Sequence, residues 1–168
     1  QRSSEILRLI TTYQMLFAVP LAFAGLHFLL FAFYPASRPN LYHAYFAFGI
    51  ALMVFSPFHS PFAREPGYHI LLMVIFKFSL LWISVTGLWF LYQVFFGKAP
   101  GYFKYICGLA ALMLLTTTFI PLSYYYVFVI AVFPEMLRVV FLALRRKVDG
   151  ARIIGAGIAA FILTCFIQ

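Results

Sequence analysis

Apolar stretches about twenty residues long recur along this chain from Tyr13 to its last residue, and they constrain its fold more than any other feature. A helix of that length crosses the hydrocarbon core of a bilayer. Only 10% of the residues are charged and 65% are hydrophobic. A soluble domain of 168 residues would carry roughly 25% charged residues to solvate its surface. A transmembrane barrel would need segments of about ten residues with strict in/out alternation. These segments are twice that length and apolar all round, so the expected fold is an all-α, polytopic transmembrane helix bundle in one domain.

Turn residues divide the chain into six spans, over 10–34, 41–58, 68–96, 102–120, 124–144 and 153–168. Pro35 and Pro39 end the first, because proline cannot continue a helix. Pro61, Pro66 and Gly67 separate the second from the third, and Gly97, Pro100 and Gly101 separate the third from the fourth. Pro121 and Ser123 break a run too long for one crossing, and Arg145 to Gly150 form a tight basic loop before the sixth span. Residues 1–9, with Arg2, Glu5 and Arg8, read as a polar lead-in.

Charge sets the orientation. With six crossings, Arg38, Lys98, Lys104, Arg145, Arg146, Lys147 and Arg152 fall on one face, and Arg2, Arg8 and Arg64 on the other. Cytoplasmic loops collect Lys and Arg, so the first face is expected in the cytoplasm and the N-terminus outside. An exported domain or signal peptide would fit before it, and a seventh helix would fit after the sixth. The net charge of +8 is explained by these flanks. No basic face lies outside the spans, so nucleic acid is not an expected partner; lipid and other protein chains, in a homodimer or larger complex, are.

Three ionisable residues lie at membrane depth: Lys77, Glu135 and Arg138. Such groups are expensive and usually face a bundle interior. Counted from the starts of their spans at 1.5 Å per residue, Lys77 lies roughly 13 Å deep and Glu135 roughly 17 Å. A lysine side chain would bridge that difference. Arg138 sits one turn beyond Glu135 and can pair with it. Pro134 frees the carbonyl of Ile130 and favours a kink beside the acid. Two readings follow: a polar switch made by Lys77, Pro134, Glu135 and Arg138, or a self-satisfied Glu135–Arg138 pair with Lys77 snorkelling along its stem. Ala151, Gly155 and Ala159 form a small-residue face for close helix packing.

Other chemistries are not expected. His43 and His59 would point roughly 160° apart on one helix, which disfavours a haem held between them. Cys107 and Cys165 form no CxxC pair, and no nucleophile–base pair stands out. No cofactor, metal or enzymatic activity is therefore anticipated.

The stretch Phe31-Ala32-Phe33-Tyr34, Arg38-Pro39-Asn40-Leu41-Tyr42-His43-Ala44-Tyr45-Phe46-Ala47-Phe48 resembles the first two helices of the bacterial seven-transmembrane receptors with diverse intracellular signalling modules. The segment Pro134-Glu135-Met136-Leu137-Arg138 with Arg145-Arg146-Lys147-Val148-Asp149-Gly150-Ala151-Arg152 is also similar to that class. The resemblance implies seven helices in the bacterial inner membrane, an exported sensor domain and a cytoplasmic output domain. The chain departs from it in showing six spans and neither flanking domain. The expected role is a sensory and transduction domain that relays a signal. The alternative is a non-catalytic membrane subunit of a larger redox or energy-converting complex.

Overall fold

The structure is a computed structural model that describes the backbone of residues 2–157 and the side chains of residues 10–157. Its described residues form α1 (Arg2–Phe33), α2 (Arg38–His59), a 3-10 turn (Ser60–Phe62), α3 (Pro66–Phe96), α4 (Phe103–Leu115) and α5 (Leu122–Arg145). Four of these, α1, α2, α3 and α5, are long and apolar enough to cross a membrane. Another helical stretch starts at Ala151. Most of the expected sixth span, Ala159 included, lies outside the described residues.

The punctuation is chemical. Proline stands in the first turn of both α2 and α3, where its missing N–H costs nothing. Gly97 ends α3 with φ 69°, a left-handed conformation that suits glycine, and its N–H returns to the Gln93 carbonyl at 3.2 Å. Two expectations need correction. The polar lead-in is continuous with the first helix, because nothing in residues 2–9 breaks it. The expected fourth span, 102–120, is helical only to Leu115, and its next residues turn. The Thr116 hydroxyl bonds back to the Leu112 carbonyl at 2.8 Å, a competition that weakens helix, and Pro121 then forbids continuation.

At 1.5 Å per residue α4 is roughly 20 Å long, short of a hydrocarbon core of about 30 Å. Its last carbonyls therefore end inside the bundle and need partners.

Successive helices run antiparallel. Tyr13 stacks on Phe58 and His27 lies tilted against His43 between α1 and α2, while Tyr42 meets Trp89 between α2 and α3. The turn with Arg38, the turn with Lys98 and the end of α5 with Arg145 consequently share one end of the bundle. Helix α3 is the hub, packing against α2, α4 and α5; its Leu81, Leu88, Leu91 and Tyr92 are buried. Two glycines permit the closest approaches. A Cβ on Gly49 would lie 2.8 Å from side-chain atoms of Trp82 and Ile83, and one on Gly87 2.9 Å from Phe46 and 3.2 Å from Met136.

Helices α3 and α5 are parallel but offset. The Lys77 ammonium lies over the Tyr125 ring, and Gly87 faces Met136. On that register α3 starts roughly 12 Å before α5. Lys77 is level with the first turn of α5, and Glu135 is level with Gly87, roughly 15 Å further along. The depths counted from span starts were too similar, because they assumed that both helices begin at the same height.

Candidate functional site

Two polar clusters follow from that offset, one at each end of α4. The first is the answer to the broken helix. Lys77 of α3 is 7% exposed, and its Nζ donates to the carbonyls of Thr117 and Ile120, each at 2.8 Å. The same ammonium stands 5.3 Å from the centre of the Tyr125 ring, an attractive placement for a desolvated cation. The Tyr125 hydroxyl donates to the Met113 carbonyl at 2.8 Å and lies 2.7 Å from the Thr117 hydroxyl oxygen. A lysine and a tyrosine thus satisfy the backbone that α4 abandons. Unsatisfied carbonyls are tolerated at membrane depth only with such partners.

The second cluster joins α3, α5 and the start of α4. Arg138 grips Glu135 with two bonds, Nε to Oε2 at 2.7 Å and Nη2 to Oε1 at 2.6 Å. Tyr92 donates its hydroxyl to Glu135 Oε1. Tyr102, the residue just before α4, donates to the same oxygen at 2.6 Å and accepts from Arg138 Nη2 at 2.6 Å. Bidentate, charge-assisted bonds of this kind are the strongest that side chains make. Helix α5 continues through Pro134.

Glu135 and Arg138 are thus brought together, whereas Lys77 is not brought to Glu135. Lys77 neither pairs with the acid nor snorkels; it is consumed by backbone carbonyls. Arg145 and Arg146 lie over the rings of Phe141 and Phe96, so the end of α5 is tied to the end of α3. Lys147 (φ 55°) and Gly150 (φ 79°) make the sharp turn after α5, with Arg152 exposed beyond it. Ala151 is buried, and the Cα of Gly155 comes close enough that an added Cβ would touch Val140 and Leu144 at 3.5 Å. These two small residues lay the next segment against α5.

Tyr92, Tyr102 and Tyr125 are the partners that sequence reasoning missed. Tyr92 and Tyr102 each lie near the end of an expected span, where tyrosine is ordinary at a membrane interface. The usable signal for Tyr125 and Thr117 was Thr116-Thr117-Thr118 ahead of Pro121, a helix stop inside an apolar run that had to expose carbonyls.

Two of the four histidines, His27 and His43, pair across neighbouring helices. His27 and His43 have ring centroids 4.0 Å apart, too close for a macrocycle to lie between them. At the opposite end, Ser60 Oγ lies 3.2 Å from His69 Nδ1, and His59 Nδ1 lies 3.0 Å from the Phe55 carbonyl. Among the described residues no group of three or more His, Cys, Asp and Glu side chains is placed to hold a metal ion. Comparison with known families, with curated proteins and with solved structures yields no match to this chain.

Proposed function

We propose that this chain is the membrane-embedded relay of a bacterial signalling receptor, in which α4 is the element that shifts. The observation that carries the reading is the Tyr92–Tyr102–Glu135–Arg138 cluster, which ties the start of a short helix to two long ones through side chains alone. Side chains can exchange partners without breaking a helix, so the cluster can hold α4 in more than one position. The other end of α4 is anchored to backbone by Lys77. A helix fixed at one end and side-chain latched at the other is a lever. The receptor resemblance in the first two helices and around Glu135 supports the same reading.

In this proposal the chain crosses the bacterial inner membrane about six times, with a seventh helix beyond, and has no catalysis of its own. The end bearing Arg38, Lys98 and Arg145 faces the cytoplasm, where positive loops belong, and the N-terminus lies outside. A cytoplasmic output domain, in the same chain or another, receives the movement.

Two measurements on the full-length protein in its membrane test this. Single cysteines at Lys98 and Arg64 are challenged with an impermeant thiol reagent in intact cells; labelling at 64 and protection at 98 are expected, and the reverse overturns the orientation. Tyr102→Phe is expected to change the basal output of the cytoplasmic domain at unchanged expression. Wild-type output together with purification in fixed stoichiometry with other integral polypeptides would replace the relay with an accessory subunit.

A further inference from the structure

We infer that His27 and His43 form a seat for one imidazole-preferring transition-metal ion, of the zinc or copper class, between α1 and α2. The inference does not depend on the relay reading, because neither histidine touches α4 or its two clusters.

Asn40 Nδ2 donates to Ser37 Oγ at 3.1 Å, which turns Asn40 Oδ1 toward His27 Nδ1, 3.2 Å away. An amide oxygen only accepts, so the hydrogen of a neutral His27 ring sits on Nδ1. Its Nε2 then keeps a free lone pair. An imidazole whose other nitrogen donates to a fixed oxygen is the arrangement found behind metal ligands, where it sets tautomer and ring orientation. Asn40 does this for His27.

His43 supplies the second nitrogen. Its Nδ1 is fully shielded and has no hydrogen-bond partner, the one such buried side-chain atom among the described residues. Buried polar atoms are nearly always satisfied, and an exception needs an explanation. The His43 ring lies 4.0 Å from that of His27 by centroid and meets the Phe90 ring in a T-shaped contact, 5.5 Å away. Both rings are partly exposed. They lie roughly 8 Å from the Pro35–Ser37 turn at 1.5 Å per residue, within reach of the headgroup region.

Protonation is the weaker explanation for the orphaned nitrogen. A proton on His43 Nδ1 would find no acceptor there. A neutral imidazole is the metal-binding form. Metal–nitrogen bonds of about 2.0 Å require the two rings to part by roughly one ångström, which side-chain rotation supplies. Among the described residues no third His, Cys, Asp or Glu completes the shell, so water or a small ligand would fill the remaining positions.

The test uses the full chain in detergent, dialysed against Zn2+ and, separately, Cu+ under reducing conditions, with metal content counted per chain. One ion of either kind per chain at micromolar free metal is expected, with X-ray absorption reporting two imidazole ligands. His27→Gln or His43→Gln should weaken binding more than 100-fold, and Asn40→Ala by about 10- to 100-fold through the loss of its orienting bond. The His59→Gln, His69→Gln pair at the other end should bind normally. Melting curves recorded without metal show whether each variant is folded, and Asn40→Ala retains both ligands if a histidine variant fails. Absence of stoichiometric binding at 100-fold higher metal, or binding that survives loss of both His27 and His43, overturns the proposal. A melting temperature that depends on pH but not on either metal overturns it equally and assigns the pair to protons.

Discussion

At one end of α4 a lysine that is 7% exposed gives its protons to two backbone carbonyls. At the other end a carboxylate that is 20% exposed collects two phenols and a guanidinium that is itself half open to its surroundings. Both clusters place charge beside the same short helix, but they do different work. The lysine's acceptors are fixed by the backbone, so losing it strands polar atoms in the interior of the bundle. The carboxylate's donors are side chains that overlap in function, so losing one leaves others. The first cluster should therefore govern whether the bundle folds, and the second how it is poised.

The largest expected effect comes from breaking the first cluster. Lys77→Ala leaves the Thr117 and Ile120 carbonyls unsatisfied, and buried unsatisfied groups cost about 1–3 kcal/mol each; the cavity left by the lost stem adds to this. A loss of about 3 kcal/mol or more is expected in reversible unfolding of the detergent-solubilised chain. Should Lys77→Ala unfold like wild type, the contrast between the two clusters collapses.

Next comes the ground between them. Gly87 lies on α3 where Phe46 of α2 and Met136 of α5 both approach. Gly87→Ala forces a Cβ to 2.9 Å from Phe46, and overpacking of this kind costs about 1–3 kcal/mol. Because Met136 adjoins Glu135, the same change should also alter the output of a relay, whereas Gly49→Ala, which meets only Trp82 and Ile83, should lower stability without that second effect.

A matched pair of hydroxyl deletions sharpens the comparison. Tyr125→Phe removes the donor to the Met113 carbonyl and should cost about 1–2 kcal/mol. Tyr92→Phe leaves Glu135 with Tyr102 and Arg138, and should cost less than about 0.5 kcal/mol by the same measure. Equal costs would mean that both tyrosines serve the fold alone.

The parts of this arrangement legible in sequence are those that rest on local chemistry. Long apolar runs, prolines at helix starts and Gly97 at a helix end place α2, α3 and α5 within three residues of their bounds, and the i, i+3 spacing of Glu135 and Arg138 gives their pairing. What sequence could not supply is axial register. Nothing local says that α3 begins roughly 12 Å before α5, and that offset alone decides that Lys77 meets Ile120 and not Glu135. Partners contributed by distant turns, such as Tyr102 for Glu135 or Asn40 for His27, are hidden for the same reason. Histidines were tested along one helix, where they diverge, although the pairing runs between neighbouring helices.

The smallest effect on stability and, if the chain is a relay, the largest on its output are expected at Glu135. Glu135→Gln keeps the shape and can still accept from Tyr92 and Tyr102, but it gives up the charge that Arg138 grips. Removing one partner of an ion pair is costly where the other is left buried; here Arg138 is half exposed on a helix that ends in arginine, so it can swing toward headgroups along its own stem. A melting temperature near wild type is expected, with a shifted balance of output or response. The double variant Glu135→Leu, Arg138→Leu removes both charges, and replacing an ion pair by apolar groups is often neutral for folding. If folding alone were at stake, the double variant should restore whatever the single one loses. If the cluster latches α4, the double variant should fold well and signal wrongly, since Tyr102 then keeps only the Tyr92 hydroxyl, 2.9 Å away, and loses its charged partners on α5. Normal output from both variants would leave Glu135 and Arg138 as a self-contained pair, and the lever would have no latch.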